Sequence, residues 1–336
     1  MICPLRLALC LALLGAPALA QTPPAQPPKA PIVWDMPNEY PGSSIHGEGD
    51  VFFGNLLREK SRGAIVIVHH FDATDGLRSK DMLDAVGSGK VPIADMFAGA
   101  LGDAEPIFLL PSLPFVAVTT DQARALFETA EAGYDKILAR HNQKLLYPSP
   151  WPPTGIWAKH AIDGLDSLKG LRIRTYDANG TIAFKALGAD PLQITFADAL
   201  PRLTTGEVQA VLSSGDGGAG AKLWDYLDHF TAINYAMPLS LVTINLDVWN
   251  KLTPALQRAV RDAANATDAH QWTTVRQRVE ENYLRMRSNL VTVTTTVPAP
   301  FTTSLKAAGR QAVDAWIAQA GPVGQLLLAD YERRIH

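Results

Sequence analysis

The 336 residues are 47% hydrophobic and 19% charged, with a formal net charge of −3. That composition fits a globular chain of roughly two domains at ~150 residues each, and without a basic run it excludes nucleic acid as the main partner. The two cysteines, Cys3 and Cys10, both lie near the start, so neither disulfide nor thiol chemistry organises the rest of the chain.

Residues 1–6 are short and basic, 7–14 are apolar, and Ala18-Leu19-Ala20 has the small-x-small pattern of an export cleavage site. The apolar run is too short to span a bilayer. Residues 1–20 therefore read as a cleavable signal peptide and the mature protein as periplasmic. A lipid anchor on Cys10 is disfavoured by the bulk of Leu9 before it. Residues 21–31 are a proline-rich, extended spacer.

Beyond the spacer, residues 32–36 read as a strand, 43–60 as a helix, and the β-branched run 64–69 as a second strand. A short helix follows at 79–86. Residues 91–94 read as a brief strand that Pro92 places at a sheet edge. This alternation predicts an α/β layer with a parallel sheet. Residues 107–115 read as an apolar loop or short strand, and 120–141 as a helix capped by Thr119 and Thr120. Two strands, 145–147 and 155–159, flank a rigid loop at 148–153.

The stretch from Leu165 to Asp216 holds a second set of alternating elements. Gly170 breaks the chain, and Leu171 to Thr175 alternates apolar and polar residues with period two. Turn and cap residues Tyr176 to Gly180 lead into a helix at 181–187. A strand at 191–195, a helix at 197–204 and a strand at 208–212 complete the set. In a parallel sheet, Arg174 lies near the carboxyl end of its strand, where open α/β sheets hold ligands. Its guanidinium is a planar donor fork suited to a carboxylate, although an exposed strand arginine has the same local sequence. A helix is expected at 221–227, a strand at 240–245, and a long helix from Pro254 toward Leu290. Alternation at 291–297 and a helical tail, 302–319 and 322–335, end the chain. The expected fold is α/β, with two lobes around a hinged cleft and a long bracing helix. One lobe would comprise 32–147 and 240–275, the other 148–239 and 276–336.

Several segments together resemble the DctP-type extracytoplasmic solute receptors of tripartite ATP-independent periplasmic (TRAP) transporters. They are Leu168-Lys-Gly-Leu-Arg-Ile-Arg174, Ala186-Leu-Gly-Ala-Asp-Pro191, Leu203-Thr-Thr-Gly-Glu-Val-Gln209, His229-Phe230, and Val242-Thr-Ile-Asn245 with Trp249. Their order and spacing cover essentially the whole mature chain. The resemblance implies a periplasmic binding protein, not an enzyme, that closes on a small organic acid and passes it to the TRAP membrane permease subunits. It implies that Arg174 grips the ligand carboxylate and that His46 offers a hydrogen bond from the first lobe. Where the family has an asparagine, this chain has Ser213 and Ser214. A second family arginine before the 155–159 strand is replaced by Trp151-Pro152-Pro153. One cation beside an aromatic wall favours a monocarboxylate.

The candidate ligand contacts are Arg174, Trp151, Ser213, His46, His70, Arg78, Asp216 and Tyr235, with no catalytic residue, no metal ligand and no cofactor. Trp151 reads equally well as core. His69, His70, Asp72 and Asp75 match no zinc spacing, and adjacent strand histidines point to opposite faces; His70 is taken to face the cleft. Arg78 and Lys80 are possible second cations or an ordinary exposed helix start. Ser214, His70 and Asp72 could be combined into a hydrolytic set, but no spacing supports it. A binding protein for a sensor or another uptake system, or a hydrolase using the same cleft, remain the alternatives.

Overall fold

Strand β1 (Ile32–Pro37) buries Trp34 and Met36 at alternate positions and pairs in parallel with β2 (Ile65–His70). Between them α1 (Ile45–Lys60) starts at Ser44, whose hydroxyl accepts from the Gly47 amide. These elements belong to a computed structural model that describes residues 30–335. The signal segment, both cysteines and the spacer up to residue 29 lie outside the described residues. Next come α2 (Ser79–Gly87), β3 (Ile93–Phe97), a 3-10 helix at Pro106–Ser112, and α3 (Thr120–Arg140) behind its Thr119 cap. Strand β4 (Gln143–Pro150) runs almost directly into β5 (Thr154–Ala158).

Then follow β6 (Arg172–Thr175), α4 (Ala178–Ala186), β7 (Asp190–Gln193), α5 (Phe196–Thr204), β8 (Ala210–Ser214) and α6 (Gly215–Gly220). The chain continues through β9 (His229–Thr231), β10 (Leu239–Asn245), α7 (Leu246–Lys251), α8 (Pro254–Ser288), β11 (Thr292–Thr294) and α9 (Ala299–Ile335).

The strands form two layers, each the centre of a lobe. The first runs β2-β1, then β3-β10-β4, the two parts joined by a parallel bridge between Asn38 and Asp95. The second has six strands in the order β11-β9-β5-β8-β6-β7. The chain crosses between layers at β4 to β5 and again at β9 to β10. The Trp151 amide donates to the Pro238 carbonyl at 2.9 Å, so the two crossings are bonded side by side. Helix α8 begins with Pro254 behind the Thr253 cap and packs Val260, Ala263 and Ala264 against the first sheet; its other end places Met286 in the second core. Its 35 residues span about 50 Å, enough to brace both lobes.

Four expectations need correction. The sheets are mixed: β6 is parallel to β7 and β8, but the crossing strands β5 and β10 run antiparallel to their neighbours, since each enters its sheet from the other layer without a crossover helix. Strand β3 lies between β10 and the Asn38 bridge rather than at an edge, and Pro92 sits just before it. Residues 148–150 continue β4 instead of forming a loop; β4 is an edge of its three-stranded sheet, where proline's missing donor is tolerated. The glycine-rich run after β8 is itself helical, whereas the helix expected at 221–227 is only a 3-10 turn, Leu223–Asp225.

The C-terminal tail also departs from the expected lobe assignment. Helix α9 kinks at Gly321 (φ 65°). Phe301 and Leu305 pack in the second core, but Val313, Trp316 and Tyr331 pack in the first, where the Trp316 indole donates to the Pro106 carbonyl at 2.7 Å. The tail therefore bridges the lobes instead of belonging to the second.

The glycines of α6 are required by contact. A Cβ on Gly218 would run into the indole of the fully buried Trp157. Gly218→Ala should destabilise the protein by roughly 1–3 kcal/mol through overpacking, measured by urea unfolding; wild-type stability would refute this packing account.

Candidate ligand-binding site

The stretches leaving the carboxyl ends of several strands converge between the lobes. Tyr40 follows β1, Phe97 ends β3, Trp151 follows β4, Tyr176 follows β6, Phe196 lies beyond β7, and Ser213 and Ser214 end β8. With Arg174 they line a small cavity of about 20 Å³. Tyr40 is set edge-on to Trp151 at 4.6 Å between ring centres, Phe97 edge-on to Tyr176 at 5.3 Å, and Tyr40 tilted to Phe196 at 5.6 Å. Tyr40 and Phe97 come from the first lobe but pack in the core cluster of the second, so the cleft is closed. A larger chamber outside shares Arg174 and four of these rings and adds Lys80, Asp103, Gln193 and Thr195.

Arg174 is 3% exposed. Its Nε donates to the Ile194 carbonyl at 2.9 Å and its Nη1 to the Leu212 carbonyl at 3.3 Å. The guanidinium also lies 5.4 Å from the ring centre of Phe196 and 5.9 Å from that of Tyr176. Among the described residues it has no ion-pair partner, and beyond these two carbonyls it lies close enough to the Tyr40 phenol for a hydrogen bond. Burial pulls its pKa below the ordinary arginine value, opposed by the field of Tyr40, Glu39, Tyr176 and Asp177. Burial also pushes the Tyr40 and Tyr176 phenols well up, so both remain protonated donors. Ser214 is committed to capping α6, accepting from the Gly217 amide at 3.1 Å. Ser213 sits beside it at 7% exposure.

Of the eight residues singled out from the sequence, three line this cavity: Arg174, Trp151 and Ser213. His46 is wholly buried behind the wall, its ring stacked on Trp151 at 3.8 Å; it supports the indole without reaching the cavity. His70 bonds to Asp35 at 2.7 Å across the β1–β2 pair, away from the cavity. Its neighbour His69 packs against Phe71, and burial pushes its pKa down to about 4. Arg78 lies 3.6 Å from Asp198 and outside the cavity lining. Asp216 is turned away from it, accepting from the Ile45 amide at 2.7 Å and the Asn282 amide group at 3.1 Å. Tyr235 packs between Phe115 and Phe184, its buried hydroxyl without a hydrogen-bond partner among the described residues. The hydrolytic set is not assembled, since His70 is bonded to Asp35 and Ser214 to Gly217.

Four wall residues, Tyr40, Phe97, Tyr176 and Phe196, are not apparent from spacing. The available signal is positional: each is an aromatic residue at or just beyond a strand's carboxyl end.

The family described as bacterial extracellular solute-binding protein, family 7 (DctP), matches residues 38–319. Among solved structures, DctP7 of Bordetella pertussis, an extracytoplasmic solute receptor binding pyroglutamic acid, is 28% identical, with a TM-score of 0.85 and coverage of 89% of this chain and 99% of its own. A TRAP solute-binding protein from a marine metagenome, specific for pyroglutamate, is 26% identical with TM-score 0.85, covering 90% and 99%. In sequence, the 2,3-diketo-L-gulonate-binding periplasmic protein YiaO of Escherichia coli is 24% identical over 225 residues, 65% of this chain and 67% of its own.

Behind Arg174, burial raises the Asp177 carboxyl from its ordinary 3.8 to about 7, against the opposing hydrogen bonds of Gly180 and Ser112 and the charge of Arg174. Between these values the folded chain holds a proton that the unfolded chain has lost, so stability falls as pH rises from about 4 through about 7. Wild type should therefore lose stability relative to Asp177→Asn over that window, read from urea unfolding at stepped pH. Parallel pH profiles for the two proteins would contradict the assignment.

Proposed function

The chain belongs to the DctP family of solute-binding proteins, TRAP extracytoplasmic receptors rather than enzymes, and from that membership we propose that it binds a small monocarboxylate in the Arg174 cavity and delivers it to TRAP permease subunits. The observation that carries the reading is a buried guanidinium held by two backbone carbonyls, with no ion-pair partner among the described residues and aromatic rings around it. A buried cation is costly without a counter-charge, and a carboxylate matches the planar fork left open. Ser213 and the phenols of Tyr40 and Tyr176 supply neutral hydrogen bonds to the rest of the ligand. The rings suit a compact, flat or cyclic body, the class to which the pyroglutamate bound by the two similar receptors belongs. The lobes that close on it are 32–147 with 240–275, and 148–239 with 276–298, which includes β11, the C-terminal helix being shared.

Calorimetry on the purified receptor with pyroglutamate and a panel of small carboxylates tests this. Arg174→Ala should lower affinity by about 30-fold or more, the usual cost of leaving a buried charge unpaired, with the fold retained. Arg174→Lys should not rescue binding, because an ammonium cannot hold two carbonyls and a carboxylate in one plane. Ser213→Ala should cost no more than about tenfold, as loss of a neutral hydrogen bond. Unchanged affinity in Arg174→Ala would refute the anchor.

A further inference from the structure

Three wall residues lean on one buried polar cluster. Helix α1 carries His46 and Asp50 four residues apart, so both fall on one face, and both meet Asp95 of β3. None of the three is more than 2% exposed. Asp50 accepts from the Asn38 side-chain amide at 2.8 Å and from the Tyr147 hydroxyl at 3.3 Å, and the Asp95 carboxyl lies within hydrogen-bonding reach of it. Asp95 Oδ2 is 3.7 Å from His46 Nδ1. Two carboxyls so close in a dry interior ionise together only at high cost, so they hold one proton between them. Burial, with the Asp95 charge adding to it, pushes the Asp50 carboxyl well above the ordinary carboxylate range.

Each group of the cluster leads to the cavity. The Asn38 carboxamide that donates to Asp50 also accepts, through its oxygen, from the Tyr40 amide at 2.8 Å. Phe97 stands two residues beyond Asp95, on the same face of β3. His46 stacks on Trp151 at 3.8 Å, and the Ser240 hydroxyl holds that indole by accepting from its Nε1 at 3.2 Å. Tyr40, Phe97 and Trp151 then pack edge-on to one another as one side of the wall.

We propose that Asp50 and Asp95, with one proton shared between them, are positioning residues for this side of the wall, and that losing the proton lowers ligand affinity although neither carboxyl lines the cavity. With both ionised, repulsion drives α1 from β3, and Asn38 and His46 carry the displacement to Tyr40 and Trp151. The titratable groups that face the pair are His46 of α1 and Tyr147 of β4, and the Tyr40 phenol lies in the field of Asp95. His46 in turn faces Asp216 of the second lobe through its field. Burial and the two carboxyls push the Tyr147 phenol well up, so the shared proton is the one lost first. Among the described residues no lysine or arginine forms an ion pair with either carboxyl, so no nearby cation relieves the second charge.

The wall can be watched without ligand, so only the affinity measurement rests on the proposed carboxylate reading. Fluorine NMR on protein labelled with fluorotryptophan reports the indole directly, the Trp151 resonance being assigned by its loss in Trp151→Phe. Between about pH 6 and about pH 10 that resonance should shift in wild type and stay fixed in Asp50→Asn, whose amide can donate to Asp95 without a proton to lose. Asp95→Asn should behave alike and serves if Asp50→Asn does not fold. With pyroglutamate as probe, calorimetric affinity of wild type should fall toward alkaline pH, approaching about tenfold per pH unit once the proton is gone. Affinity of Asp50→Asn, whatever its value, should not follow pH in this way. A Trp151 resonance that stays fixed in wild type, or that titrates identically in wild type and Asp50→Asn, would overturn the proposal, as would parallel affinity profiles. A titrating wall in a protein that does not bind pyroglutamate would support the positioning role and count against the ligand class.

Discussion

The structure is arranged around a cation that the protein buries without an ion-pair partner among the described residues. Arg174 is held by the carbonyls of Ile194 and Leu212 and faced by Phe196 and Tyr176. Two carbonyls fix the plane of the guanidinium and offset part of its lost hydration, but they contribute no negative charge. The remaining electrostatic demand is directed to the cavity, where an anion of the right size can meet it. Fixing the fork in advance means that little side-chain freedom is lost when a carboxylate binds.

Much of this was legible in sequence because it depends on local rules. Period-two alternation marked β6, and proline after a threonine cap marked the start of α8. Arg174 was identifiable from its place near a strand's carboxyl end together with the family resemblance. The misplacements share a cause. His70, Asp216 and Tyr235 carry chemistry-bearing side chains in suggestive places, but the face each one turns to depends on partners far away in sequence. Asp35, Ile45 and the Phe115–Phe184 pair are those partners. The helix expected at 221–227 begins earlier for a similar reason: Ser214 caps a turn of glycines that the Trp157 ring leaves no room to replace.

The walls were the least legible part. Tyr40, Phe97, Tyr176 and Phe196 are ordinary aromatic residues in their own segments, and periodicity assigns such residues to cores. They are in fact core residues by burial. What distinguishes them is that Tyr40 and Phe97 of the first lobe pack in the core cluster of the second. A binding cavity built at the meeting of two cores gives no sequence signal separate from that of the cores.

Acidic groups also lie near Arg174, since Glu39 and, when ionised, Asp177 act on it through their fields. The fold limits those fields by occupying their oxygens. Glu39 accepts from three backbone amides, and Asp177 accepts from Gly180 and Ser112. Donors aimed at those oxygens partly offset their negative field, leaving Arg174 as the dominant charge at the cavity. The same hydrogen bonds carry mechanical consequence, because the amides at Phe196 and Ala197 belong to the opposite lobe. Compensating the acids and joining the lobes are thus one arrangement: the amides that occupy the Glu39 oxygens come from both sides of the cleft.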